Sequence, residues 1–175
     1  IAHAGYALLG VITANNEGLA SVMNYLMIYA FMNIGAFAVI IMLRSEGFKG
    51  ESIYDYQGLS KTHPLAAVLM LIFMFSLTGI PPTAGFIGKL YIFMSAINAG
   101  YTWLVVIAVI FSAISAYFYL RVVIYMYLGE PKEIVVLPTS FSNGVPLGIT
   151  TVAVLFIGIL PSFLLDLARA AVKGF

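Results

Sequence analysis

Residues 63–99 read HPLAAVLMLIFMFSLTGIPPTAGFIGKLYIFMSAINA, and this stretch decides the fold of the chain. Lys89 is its only lysine, arginine, aspartate or glutamate. The apolar run is too long for one straight span, because a bilayer core needs about 20 helical residues, and it is too short for two spans with a loop. Pro81 and Pro82 lack backbone N–H donors and break a helix. The stretch therefore predicts one discontinuous transmembrane helix over residues 64–98, broken at 80–86.

Gly85 and Gly88 lie beside the predicted break, where glycine permits irregular backbone. Such backbone persists at membrane depth only where protein or a water-filled cavity satisfies its polar groups. A lysine at the bilayer centre costs roughly 2.5–3.5 kcal/mol on insertion scales. The break and Lys89 together favour a midplane ion site of the kind that transporters build from discontinuous helices. The alternative is that Lys89 snorkels to a membrane surface and that the prolines form a turn between two short helices.

The composition is that of an integral membrane protein with a single transmembrane domain over residues 1–175. The chain is 62% hydrophobic and 9% charged, whereas soluble domains average about 25% charged residues. It offers no basic patch for nucleic acid. The absence of cysteine excludes disulfides and cysteine-bound iron–sulfur clusters. His3 and His63 are far apart in sequence, which argues against a metal or haem site in this chain. The chain begins with Ile1, and we expect it to be a piece of a longer chain.

Hydropathy and the turn residues predict five spans, the first of them partial. Two polar loops, at residues 44–62 and 129–144, interrupt the pattern. Pro161 interrupts the last span. The predicted spans are residues 1–14, 19–43, 64–98, 102–128 and 145–171.

The basic residues predict the orientation of the chain, since cytoplasmic loops carry an excess of lysine and arginine. If each span crosses the membrane once, both polar loops lie on the same side. That side then carries more basic residues than the other, so we expect both loops to be cytoplasmic. The side of the polar loops carries Arg44, Lys49, Lys61, Arg121 and Lys132, whereas the other side carries only Arg169 and Lys173.

A row of polar side chains lies along the second span. Tyr25, Tyr29 and Asn33 are spaced i, i+4 and i+8, which places them on one helix face. Such a row could hold a file of water, or it could hydrogen-bond to a neighbouring helix. Ser112 and Tyr119, with Ser115 between them, are instead predicted to serve packing and local backbone bonds.

Three segments resemble a known family: IAHAGY at residues 1–6, FSLTGIPPTAGFIGK at 75–89 and SAYFYLR at 115–121. Together they closely resemble the antiporter-like N subunit of respiratory complex I, the NADH–quinone oxidoreductase. The resemblance covers essentially the whole chain and implies that it is the C-terminal part of a longer chain. It implies an all-α polytopic helix bundle with the antiporter-like fold, and it places Lys89 on the family's lysine in the second broken helix.

The resemblance implies a proton-translocating membrane subunit that couples quinone reduction to proton pumping. Lys89 would accept and release a proton at the midplane, because burial disfavours a charged amine and modest electrostatic changes can then load or unload it. Tyr25, Tyr29, Asn33 and His3 would be further proton-transfer residues. Related antiporter-like subunits carry His, His and Lys at the first three positions. Waters and hydroxyls would therefore replace a charged relay here.

The resemblance implies that this chain binds no cofactor or metal and performs no redox chemistry. NADH, FMN, iron–sulfur clusters and quinone would be bound by partner subunits. The expected partners are the other complex I membrane subunits, including the adjacent antiporter-like subunit and small membrane subunits, within the lipid bilayer. A bacterial inner membrane is expected rather than an organellar one. The alternatives are a subunit of a multi-subunit cation/proton antiporter and a structural membrane subunit.

Overall fold

The computed structural model describes residues 1–45, 50–131 and 144–173, and this part of the chain is helical with no strand. A short 3-10 helix, Ile53–Tyr56, lies in the first polar loop. The α-helices are α1 (Ala2–Ile12), α2 (Asn16–Ser45), α3 (Leu59–Thr62), α4 (Pro64–Thr78), α5 (Ala84–Asn98), α6 (Thr102–Leu128), α7 (Gly144–Ile159) and α8 (Ser162–Val172).

The helices α2 and α6 are long and apolar enough to cross a membrane. At 1.5 Å per residue they are about 45 and 40 Å long. The bounds of α6 are those that the sequence predicts. The helix α2 begins at Asn16, earlier than predicted, because the Asn15 side chain accepts a hydrogen bond from the Gly18 N–H at 2.8 Å. This bond caps the first turn and lets polar residues form it.

The predicted break is present between α4 and α5, which confirms a discontinuous helix. The helix α4 ends at Thr78 and is capped by Gly79, whose φ of 89° lies in the left-handed region that favours glycine. The helix α5 begins at Ala84, so residues 79–83 form the break instead of 80–86. Gly85 and Gly88 therefore lie within α5, and the irregular backbone predicted for them is instead helical.

The broken helix crosses the bundle once. The Gly58 N–H, just before α3, which leads into α4, donates to the Tyr125 carbonyl near the end of α6 at 3.1 Å. The helix α5 leads through a turn at Gly100, with φ of 88°, directly into the start of α6. The two ends of the broken helix thus lie at opposite ends of α6.

The last predicted span, residues 145–171, is not one continuous crossing. The helices α7 and α8 are bent by 88° at the break between them. Pro161 has no N–H to continue the hydrogen-bond ladder of α7. The helix α8 packs Ala168 and Val172 against Ala20 of α2. The helix α8 therefore lies across the beginning of α2 instead of extending α7.

We expect cysteines introduced at Ser52 and Ser140 to react with impermeant thiol reagents only from the cytoplasmic side. This chain has no cysteine of its own, so its other residues add no background labelling. The structure places the first polar loop against the end of α6, with the Tyr54 and Tyr125 ring centres 5.3 Å apart. Ser140 lies outside the described residues, as do the predicted loop residues 46–49 and 132–143.

A cysteine at Asn98, the exposed last residue of α5, is the matched control and should react only from the opposite side. Labelling of Ser52 and Ser140 from opposite sides would show that the orientation derived from the basic residues is wrong.

Candidate proton-transfer site

Lys89 lies in the second turn of α5 and is only 6% exposed. Its Nζ donates to the carbonyl oxygens of Leu77 at 3.2 Å and Thr78 at 2.8 Å. A third bond runs to the Ser112 hydroxyl on α6 at 3.1 Å. These partners occupy all three N–H donors of an ammonium group. In the described part of the chain, no salt bridge joins Lys89 to a carboxylate.

The contacts of Lys89 complete the C-terminal end of α4. The last four carbonyls of any α-helix lack partners within the helix. Here the Phe75 and Ser76 carbonyls accept from the backbone N–H groups of Gly79 and Ile80. Lys89 binds the remaining two. The C-terminal end of a helix also carries the negative pole of its dipole, which favours a cation there. The end of α4 therefore takes the place of a counter-ion.

The ring of Tyr6 lies under the ammonium group. Lys89 Nζ is 5.1 Å from the ring centre, which is within range of a cation–π contact. Tyr6 belongs to α1 and is 3% exposed. Since water is largely excluded, this contact stabilises the charge more than an exposed one would.

A buried hydroxyl joins the two halves of the broken helix on the other side of the break. The Gly85 N–H in the first turn of α5 donates to Ser76 Oγ at 3.0 Å. The same hydroxyl lies 2.9 Å from Met32 Sδ on α2. The Gly85 Cα lies so close to α4 that an added methyl group would overlap the Ser76 carbonyl oxygen. Glycine is needed here for close packing.

Gly85→Ala should destabilise the protein by about 1–3 kcal/mol, the usual cost of overpacking a well-packed interior. The clash is with backbone, which cannot move as a flexible side chain can. Thermal unfolding of the purified full-length protein in detergent measures the effect. Gly148→Ala is the matched control, because nothing lies within 4 Å of the methyl group that it adds to α7. Equal thermal stability of the two variants would contradict close packing at Gly85.

His3 forms a second buried polar centre between α1, α2 and α6. Its Nδ1 lies 2.6 Å from the Tyr25 hydroxyl, and its Nε2 lies 3.0 Å from the Tyr119 hydroxyl. The ring of Tyr29 stacks on the imidazole, with ring centres 4.6 Å apart. The structure therefore brings together three of the predicted residues, His3, Tyr25 and Tyr29, and adds Tyr119.

Tyr6 lies between the two centres. Its ring centre is 5.9 Å from that of His3, in an edge-to-face arrangement, and 5.1 Å from Lys89 Nζ. Lys89 and His3 are therefore neighbours of one buried aromatic ring, although no direct hydrogen bond joins them in the described residues.

Asn33 does not reach this cluster. Its amide donates to the Tyr29 carbonyl of its own helix at 2.8 Å. The side chain lines a mostly apolar groove of about 440 Å³, between α2 and Pro146 at the start of α7. A file of water along the complete row from Tyr25 to Asn33 stays a prediction.

Ser112 and Tyr119 are the contacts that the sequence interpretation missed. The prediction of local backbone bonds is right for Ser115, whose hydroxyl donates to the Ser112 carbonyl at 3.0 Å. It is wrong for Ser112 and Tyr119, which bind Lys89 and His3. The spacing of Ser112 and Tyr119 could have indicated a shared role, because residues i and i+7 lie on one face of a helix. Among the described residues, no cluster of histidine or acidic side chains could hold a metal ion.

Comparison with known proteins identifies relatives in two kinds of membrane complex. Over 165 residues the chain is 56% identical to NADH-quinone oxidoreductase subunit N 1 of Thermodesulfovibrio yellowstonii. The match covers 94% of this chain but only 35% of that relative, so the chain spans about a third of its length.

Two solved structures share the fold. One is the Mrp complex from Dietzia sp. DQ12-45-1b, with a TM-score of 0.84 and 25% identity over 97% of this chain and 40% of that one. The other is respiratory complex I from Thermus thermophilus with bound Aureothin, with a TM-score of 0.73 and 30% identity over 94% and 37%. Residues 1–115 match the family described as NADH:quinone oxidoreductase/Mrp antiporter, TM. Since that match covers more than half of the chain, the chain belongs to this family of transmembrane subunits.

Proposed function

We propose that this chain is part of a proton-translocating membrane subunit of an NADH–quinone oxidoreductase, and that Lys89 accepts and releases the proton. The observation that carries the proposal is the buried Lys89, held at the helix break by two carbonyls and a hydroxyl. An intramembrane lysine is costly and is generally found where ions or protons pass. The test is proton translocation per electron by complexes in which Lys89 is replaced by Met.

The geometry supports a reversible change of charge at Lys89. The ammonium uses its three N–H groups on Leu77, Thr78 and Ser112. A neutral amine keeps two N–H groups and gains a lone pair, to which a hydroxyl can donate. The two carbonyls can then keep their bonds while the Ser112 bond reverses direction. Both charge states of Lys89 therefore find partners in the same position.

The residues around His3 extend the proposed proton pathway. His3, Tyr25 and Tyr29 are in contact with one another, and Tyr25 is completely buried. An imidazole between two hydroxyls can accept a proton on one nitrogen while the other nitrogen donates. We assign Asn33 a weaker part, since its amide binds its own helix.

The proposed subunit performs no electron transfer itself. NADH, FMN, iron–sulfur clusters and quinone would be bound by partner subunits. In the bilayer its neighbours would be an adjacent antiporter-like subunit and small membrane subunits of the same complex. The bacterial relative at 56% identity supports a bacterial inner membrane as the location.

A cation/proton antiporter subunit is the second candidate, because the TM-score of 0.84 to the Mrp complex is high. The sequence favours the oxidoreductase, since the identity is 25% to the Mrp structure and 56% to the subunit N relative. Co-purification with the full-length protein separates the two. Flavin and iron–sulfur proteins are expected in the purified assembly. An assembly with only other antiporter chains would overturn the oxidoreductase assignment.

A further inference from the structure

We infer that α6 carries the proton between Lys89 and His3, entering at Ser112 and leaving through Tyr119. The inference rests on the proposed function. It assigns the pathway to α6, whose polar residues were predicted from the sequence to serve packing and local backbone bonds. Two observed contacts define its ends: Ser112 binds Lys89 at 3.1 Å, and Tyr119 binds His3 at 3.0 Å.

Ser112 is the only one of the three partners of Lys89 that can pass a proton on. The carbonyl oxygens of Leu77 and Thr78 accept hydrogen bonds but have no proton to give. A hydroxyl both accepts and donates. When the N–H bond of Lys89 breaks, Ser112 Oγ takes that proton and releases its own to the next acceptor. Lys89 is left as a neutral amine, and Ser112 is unchanged.

A cavity of about 300 Å³ lies beside this first step. Lys89, Thr78 and Ser112 give it polar atoms, but most of its lining is apolar: Phe86, Leu90 and Phe93 of α5 face Val109, Ala113 and Ala116 of α6. A water molecule takes about 30 Å³ in the liquid and needs two to four polar partners. The cavity therefore has room for waters beside the polar atoms of Lys89, Thr78 and Ser112. The small side chains of Ala113 and Ala116 leave this space open.

The lining of the cavity on α6 runs from Val109 to Ala116 and ends about one helical turn before Tyr119. Ala116, which lines the cavity, is three residues before Tyr119, and residues i and i+3 are neighbours on a helix face. Ser112, Ala116 and Tyr119 all lie on the half-buried side of α6. A chain of waters that starts in the cavity at Ser112 and passes Ala116 would then reach the Tyr119 hydroxyl.

The last step transfers the proton to His3. In the tautomer with hydrogen on Nδ1, His3 donates to Tyr25 and presents Nε2 as an acceptor to Tyr119. The Tyr119 hydroxyl gives its proton to Nε2 and receives another from the cavity water. His3 becomes an imidazolium whose two N–H groups both donate to tyrosine oxygens. Over all of these proton-transfer steps together, Lys89 loses one proton and His3 gains one.

Two variants remove the hydroxyls, and each has a matched control on the same helix. Ser112→Ala is paired with Ser115→Ala, since the Ser115 hydroxyl binds only the backbone of its own helix in the described residues. Tyr119→Phe keeps the ring and is paired with Tyr117→Phe, whose side chain is 61% exposed. The full-length protein in its assembled complex is reconstituted into vesicles, where proton uptake and electron flux are measured together.

We expect Ser112→Ala and Tyr119→Phe each to lower proton translocation per electron about tenfold. Each variant removes a hydrogen bond to a group that is charged during transfer, and losing such a bond changes an equilibrium at least about tenfold. Ser115→Ala and Tyr117→Phe should translocate normally. Ala116→Leu, which fills the cavity, should lower translocation while both hydroxyls remain. The double variant Ser112→Ala/Tyr119→Phe should be no worse than either single variant, because the steps are in series.

The outcomes separate this pathway from the proposed function. Normal translocation by Ser112→Ala and Tyr119→Phe, together with a loss in Lys89→Met, would overturn the α6 pathway and leave the role of Lys89 standing. Normal translocation by Lys89→Met would overturn the proposed function itself. Normal translocation by Ala116→Leu would overturn the water-filled part of the pathway.

Discussion

Complexes that carry Lys89→Met should assemble and transfer electrons, yet proton transfer through this subunit should fall by ~100-fold or more, since a positioned proton-transfer group contributes roughly 10²–10⁴-fold. Methionine keeps a long unbranched side chain and removes the ammonium. Removing a buried charge is often neutral or stabilising. The Leu77 and Thr78 carbonyls lose their partner, which costs about 1–3 kcal/mol for each group left unsatisfied. Because these effects oppose each other, we expect the fold to survive.

Lys89→Arg should not restore proton translocation, because a guanidinium stays protonated and cannot release its proton. The measurement is proton translocation by assembled complexes, normalised to electron flux. Lys61→Met is the matched control, since Lys61 is exposed in the polar loop. Unchanged coupling in Lys89→Met would reduce Lys89 to a structural cap on α4.

The second large effect is expected at His3. His3→Leu leaves the fully buried Tyr25 hydroxyl without its imidazole partner, at a cost of about 1–3 kcal/mol. It also removes the group that exchanges protons with Tyr25 and Tyr119. We therefore expect both the thermal stability of the complex and its proton translocation to fall.

His3→Gln separates the two consequences. A glutamine amide supplies a donor and an acceptor for the neighbouring hydroxyls, but it cannot accept and release a proton as an imidazole can. This variant should regain most of the thermal stability and still fail to translocate protons. Thermal unfolding and proton uptake, measured on the same preparations, check this. Proton uptake at the parental rate in His3→Gln would show that His3 only supports the packing.

The broken helix could be predicted because its causes are local. Pro81 and Pro82 lack donors wherever they lie, and Lys89 is conspicuous in an apolar run. The contacts of the proposed proton pathway around Lys89 and His3 are not local in the sequence. His3 and Tyr119 are 116 residues apart. Their meeting depends on how α1 and α6 pack on α5, and the spacing within each helix does not determine that.

The last span shows a different limit. Average hydropathy treats residues 145–171 as one apolar stretch, and Pro161 predicts an interruption in it but not the 88° bend. A finer pattern was present, because Leu164, Leu165, Ala168 and Val172 recur at helical spacing and are buried. Arg169, between them, binds Glu17 with its guanidinium at 2.9 Å. An amphipathic helix of this kind suits the membrane surface better than its interior.

The bonds between Lys89 and the end of α4 have a mechanical consequence. A protonated Lys89 on α5 hydrogen-bonds to the end of α4 and to Ser112 on α6, and so holds the three helices together. When Lys89 loses its proton, these bonds weaken. Linkage makes the relation reciprocal, so any force that separates α4 from α5 must also change the affinity of Lys89 for its proton. A displacement imposed by a neighbouring subunit could thus expel a proton here without touching the lysine. The contact between Lys89 and the end of α4 would then couple a movement of the helices within the membrane to proton transfer across it.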